Sequence, residues 1–186
     1  MALLLSSGDT MLLAAFREAG WKRRHELGGD PEYREVVDAL ERAPAVIVPL
    51  VREVPEALRK RRPSPGKWSV HEHACHLAAV QPMFFERLDL LLREEHPSIR
   101  AYLPDREHAA DALLAVDLDE ALGRFRRERA ELVARLRQLA PGDWQRTAEH
   151  EEYSHYSVFI LFRHVVMHDM LHAYRIEECL LKKDWA

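Results

Sequence analysis

The chain has 186 residues, 47% of them hydrophobic and 31% charged: long enough to bury one core, and too apolar to remain disordered. A formal net charge of −4, with only the short basic run Arg59–Arg62, excludes the usual nucleic-acid-binding profile. Two cysteines, Cys75 and Cys179, exclude a disulfide framework and imply a reducing, cytoplasmic setting, and no stretch reaches the ~18 apolar residues of a membrane span.

Taken in order, the N-terminal stretch MALLLSSGDTMLLAAF lacks a basic leader and is not read as a signal peptide. Met11 to Arg24 has a helical pattern that ends at Gly28-Gly29, and Asp30-Pro31 opens a short helix to about Arg42. Residues 1–40 are therefore expected to be an N-terminal helical extension, and 41–186 the main domain. Pro44, Pro49 and Pro55 predict a new helix near Pro44, a disturbance at Pro49 and a short turn after Pro55. Pro63-Ser64-Pro65-Gly66 is a loop.

Ser69-Val70-His71-Glu72 has the form of a capping box and opens a helix to about Glu95. Val70, His73, Leu77, Val80, Phe84, Leu88 and Leu91 form its amphipathic stripe, and Pro82 predicts a bend. A connection over His96 to Pro104 and a short helix over Arg106 to Ala115 follow. Asp117 starts a long helix to about Leu139, and Pro141-Gly142-Asp143 stops it. Gln145 to His155 reads as a polar loop, and Tyr156 or Ser157 opens a last helix to about Leu181. Four helices of this length make an all-α four-helix bundle the expected architecture.

The chain has 11 histidines. In the last helix His164, His168 and His172 fall at i, i+4 and i+8. Residues four apart share a helix face ~6 Å apart along the axis, so two imidazoles at that spacing can converge on one ion, but all three cannot. Spacing leaves the pair open between 164/168 and 168/172. The remaining ligand must come from another helix, and the Ser69 helix offers His71, His73 and His76. The pair lies among apolar residues, where an unpartnered ring costs ~1–3 kcal/mol.

Two motifs carry a resemblance. Trp68-Ser69-Val70-x-Glu72-x-x-x-His76-Leu77, followed downstream by His168-Asp169-x-x-His172-x-x-x-Ile176, resembles the DinB/YfiT-like superfamily, as does the entry Pro63-x-Pro65-Gly66-Lys67-Trp68-Ser69. The resemblance spans roughly residues 40–182. It implies a four-helix bundle, often a homodimer, that holds one divalent ion (Zn, Ni, Fe or Mn) through His76, His168 and His172. His164 then becomes a neighbour. Arg175 stands where such proteins commonly carry Gln, and it would favour an anionic substrate only if it faced the site.

A three-histidine ion with open positions supports two chemistries linked to that superfamily: hydrolysis of a small-molecule substrate, or transfer of a low-molecular-weight thiol. The alternative is a non-catalytic metal-binding or interaction module. No catalytic residue is singled out. Glu72, Glu149, Glu151, Glu152 and Asp169 are the candidate bases; Glu72 is accounted for by its cap, Asp169 points ~100° from His168, and the run from Glu149 to Glu152 with His155 reads as a solvated loop or a lid. Cys75 reads as a small buried residue and Trp68 as a packing anchor.

Overall fold

The computed structural model describes residues 30–101 and 111–182. The expected helix over Met11 to Arg24, and residues 1–29 of the expected extension, lie outside the described residues. Among the described residues the elements run α1 (Asp30–Glu53), α2 (Glu56–Arg59), α3 (Val70–Ala79), α4 (Gln81–Arg93), β1 (Ser98–Ile99), a 3-10 turn (Ala112–Ala115), α5 (Leu118–Leu136), α6 (Pro141–Trp144), β2 (Thr147–His150), β3 (Tyr156–Ser157) and α7 (Val158–Leu181). Helix α1, the consecutive α3 and α4, α5 and α7 are the four members of a helical bundle.

Helix starts follow local chemistry. The Ser69 hydroxyl accepts from the Glu72 amide at 3.2 Å, and the Glu72 carboxylate accepts from the Ser69 amide at 2.8 Å, which completes the predicted capping box. Asp117 caps α5 through the Glu120 amide at 2.8 Å, and Ser157 caps α7 through the Ile160 amide at 3.2 Å. The Pro55 turn also forms, as α2.

Three expectations need correction. The helices expected on either side of Pro44 are one continuous helix, α1, with Pro44 and Pro49 inside it. Proline removes the amide that would serve the carbonyl four residues earlier. For buried Pro44 that carbonyl is Leu40's, and the Arg129 guanidinium donates to it at 3.4 Å. For Pro49 the residue four earlier is Ala45, which is exposed, so water can take the same role. The helix from Ser69 is not merely bent at Pro82: it divides at Val80 into α3 and α4. There the Gln81 side-chain amide donates back to the Leu77 carbonyl at 2.8 Å. Finally, Gln145 to His155 is not all loop. Thr147–His150 is the middle strand of a small sheet of order β1-β2-β3, parallel to β1 (Ser98 opposite Glu149) and antiparallel to β3 (Thr147 opposite Ser157).

The apolar core falls into two clusters. One gathers Tyr33, Leu40, Leu88, Leu132 and Phe162; the other Ile47, Val51, Leu77, Phe125 and Ile176. Near the boundary between the two, the other three bundle members each make a polar contact to one residue, Arg129. Arg129 of α5 is 1% exposed. It reaches Leu40 O on α1, Gln81 Oε1 at the start of α4 (3.3 Å) and the Asp169 carboxylate on α7, with Nη2 to Oδ1 at 3.3 Å and Nη1 to Oδ2 closer still. One guanidinium thus bonds to the other three members of the bundle.

Candidate metal centre

Helices α3 and α7 face each other and bring the histidines together. His73 and His76 lie three residues apart on α3; His168 and His172 lie four apart on α7. His76 Nε2 stands 3.1 Å from His168 Nε2, and His172 Nε2 stands 3.1 Å from the same atom. One nitrogen from each of these three residues lies within 4.8 Å of the others; among the described residues this is the one such group of histidine, cysteine or acidic side chains. His76 and His172 are buried, while His168 is about a quarter exposed (27%) and gives the cluster its open side.

Hydrogen bonding alone does not account for this arrangement. A ring nitrogen carries either one proton or one lone pair. His168 Nε2 faces two other nitrogens at 3.1 Å and cannot make a linear hydrogen bond to both. Nitrogens held ~2.1 Å from a shared tetrahedral ion stand about 3.4 Å apart, close to the two separations from His168 Nε2. The three residues therefore fit a divalent cation.

Electrostatics agree with the geometry. Burial, then repulsion from His168, His76 and His73, pushes the His172 pKa far below its usual range. Burial likewise lowers His73 to about 4, with a smaller lowering from Arg175 that Glu72 opposes. Both rings are neutral at physiological pH, the form in which imidazole offers a lone pair. His73 sits just outside the trio, its Nδ1 2.8 Å from His172 Nδ1. Trp68 closes one side: its ring lies 4.8 Å from that of His76 and 5.5 Å from that of His73, and it stacks on His172 at 6.0 Å and 19°. It is a packing residue, as expected, and it also lines the centre. Phe84 stands edge-on to His168 at 6.2 Å.

The remaining candidates lie elsewhere or are already engaged. His164 faces the Tyr153 ring at 5.2 Å rather than the trio. His71 is buried with Nε2 3.1 Å from the Leu113 carbonyl. Burial raises the Glu72 pKa, but hydrogen bonds from Arg62 and Ser69 outweigh it and hold the carboxylate ionised and occupied. Asp169 is held by Arg129; its Oδ1 lies 3.7 Å from His168 Nδ1, beyond hydrogen-bond reach. Glu149 and Glu152 are exposed, and Glu151 accepts from the Ala101 amide at 3.0 Å. Burial pushes the Cys75 thiol up to about 12, so no thiolate nucleophile is available there. Arg175 is exposed and paired with Glu178 at 2.8 Å, which already matches its charge. Sequence reasoning placed His73 near the face of His76 but missed its contact with His172; the i, i+3 spacing of 73 and 76 was the available signal.

Fold and cluster together define a helical bundle with a partly open trio of histidines. The chain belongs to the DinB superfamily, whose model matches residues 39–176. A relative from Oceanobacillus iheyensis, named as a proposed metal-dependent hydrolase, is 30% identical over 122 residues, covering 64% of this chain and 69% of its own length. The solved structure of YfiT from Bacillus subtilis, described as a probable metal-dependent hydrolase with an unusual four-helix bundle topology, aligns with a TM-score of 0.69 at 20% identity. That alignment covers 82% of this chain and 89% of YfiT. Among the described residues no helix is long and apolar enough to cross a membrane.

Proposed function

We propose that this protein is a metal-dependent hydrolase of a small molecule, with one divalent ion held by His76, His168 and His172. The observation that carries the reading is the convergence of one nitrogen from each of His76, His168 and His172 to within 4.8 Å of one another, with His168 Nε2 3.1 Å from both of the others. Three imidazole ligands would leave one to three coordination positions for water or substrate, and His168 is the ring that meets solvent. An ion held there would supply a lowered pKa for water and polarisation of a carbonyl or phosphoryl oxygen. The chain contributes ligand geometry from two rigid helices, and Trp68 and Phe84 shield the rings from water on their flanks. The names of the two relatives favour hydrolysis over thiol transfer. Imidazole suits Zn, Ni, Fe and Mn alike, so availability decides among them.

The test is elemental analysis of protein purified without a polyhistidine tag, beside the His168→Ala/His172→Ala variant. The expected result is near-stoichiometric metal in the wild type and none in the variant. A panel of esters, amides and phosphoesters, with a parallel arm of thiol plus electrophile, then separates hydrolase from transferase. A bound ion without turnover in either arm identifies a non-catalytic metal-binding module. No ion after addition of zinc or nickel leaves a histidine-rich structural bundle.

A further inference from the structure

We infer that His73 is a positioning residue for the proposed ion: its Nδ1 accepts the Nδ1 proton of His172, which fixes His172 in the tautomer whose Nε2 lone pair faces His76 and His168. The inference rests on the metal reading above and concerns a residue outside the ligand trio.

A neutral imidazole has one proton to place. His172 Nε2 faces the convergence point, 3.1 Å from His168 Nε2, so as a ligand it must be bare. The proton then belongs on Nδ1. Among the described residues the partner at hydrogen-bond distance from that atom is His73 Nδ1, at 2.8 Å. The two ring centres are 5.0 Å apart, nearly the contact distance plus two ring radii. Both nitrogens therefore lie close to the line joining the rings, with N–H and lone pair directed along it. His172 is only 6% exposed, so water is a poor substitute acceptor. Accepting at Nδ1 in turn places the proton of His73 on its Nε2, so one contact sets the tautomer of both rings.

His73 is not itself a member of the convergent group, which contains only His76, His168 and His172 among the described residues. Its role is the one that a carboxylate or a backbone carbonyl commonly fills behind a ligating histidine. Here the acceptor is an uncharged ring. It orients His172 without adding negative charge to the centre.

The test compares untagged wild type with His73→Leu and His73→Asn. Zinc affinity is measured by competition with a chromophoric chelator, and long-range nitrogen–proton correlation spectra are recorded on the zinc-loaded wild type. Asparagine restores an oxygen acceptor near the position of Nδ1; leucine does not. The expected result is an affinity about 10- to 100-fold weaker for His73→Leu, recovered to within about threefold of wild type by His73→Asn. The spectra should show His172 protonated at Nδ1 and bare at Nε2, and His73 protonated at Nε2. Zinc bound equally well by wild type and a folded His73→Leu overturns this inference alone, as does a spectrum showing His73 ligated or His172 bound through Nδ1. A wild type that takes up no zinc overturns the metal reading and this inference with it. If His73→Leu does not fold, the wild-type spectra decide.

Discussion

Arg129 and the histidine trio both put polar nitrogen inside the same bundle, and they solve the problem in opposite ways. Arg129 finds a carbonyl, an amide oxygen and a carboxylate on three different helices, so its donors have acceptors from within the chain. At the histidine trio the Nε2 atoms of His76 and His172 both stand 3.1 Å from His168 Nε2, which cannot form a linear hydrogen bond to both. The first region serves the fold. The second is the proposed ion site, and its open member, His168, is the one that reaches solvent. On that proposal the match of donors to acceptors, more than burial, separates the two clusters.

The sharpest way to break that comparison is to open the closed region. Arg129→Met strands Asp169 as a buried, unpaired carboxylate and should cost about 3–5 kcal/mol in denaturant unfolding. Arg129→Met/Asp169→Leu should recover most of that loss; a double variant as unstable as the single one would mean that the Leu40 and Gln81 contacts dominate.

Acid should act on the open region next. In the metal-free protein His73 has a folded pKa of about 4, against ~6.5 unfolded, so the unfolded chain takes up the proton first as pH falls. Stability is then flat with respect to this group above about pH 6.5. It is lost from there toward about pH 4, at about 1.4 kcal/mol per pH unit for each such histidine. Burial and repulsion add a loss of the same sign from His172. Equilibrium unfolding at stepped pH measures it, and a metal-free curve unchanged between pH 6.5 and 4 would contradict buried, neutral His73 and His172 rings.

A smaller effect is expected from His172→Gln. It should abolish stoichiometric metal binding while moving the metal-free unfolding free energy by only about 1 kcal/mol, because a single hydrogen bond, to His73, is lost. The mildest expectation concerns the thiols: with burial raising Cys75 to about 12 and also raising Cys179, neither should react with a thiol reagent until the protein unfolds.

Much of this was legible in the sequence where the signal was local. Ser69 with Glu72, Asp117 before α5 and Ser157 before α7 announce helix starts because the cap and its partner are three residues apart. The continuity of α1 was not legible. Whether Pro44 ends a helix depends on Arg129, which lies 85 positions further along and supplies the donor that the proline lacks. The division at Val80 likewise depends on where the Gln81 side chain folds back. Helical spacing narrowed the ligands to two pairs, and family resemblance proposed which. The contact between His73 and His172 links residues 99 positions apart and could be seen only in three dimensions.

Trp68 gives the centre a built-in optical gauge. An indole packed against three of the four clustered imidazoles is close enough for a paramagnetic ion such as Ni(II) to quench its emission. Occupancy could then be followed by titrating the unlabelled protein in a fluorimeter. Trp68→Phe would serve as the control that separates its emission from that of Trp21, Trp144 and Trp185.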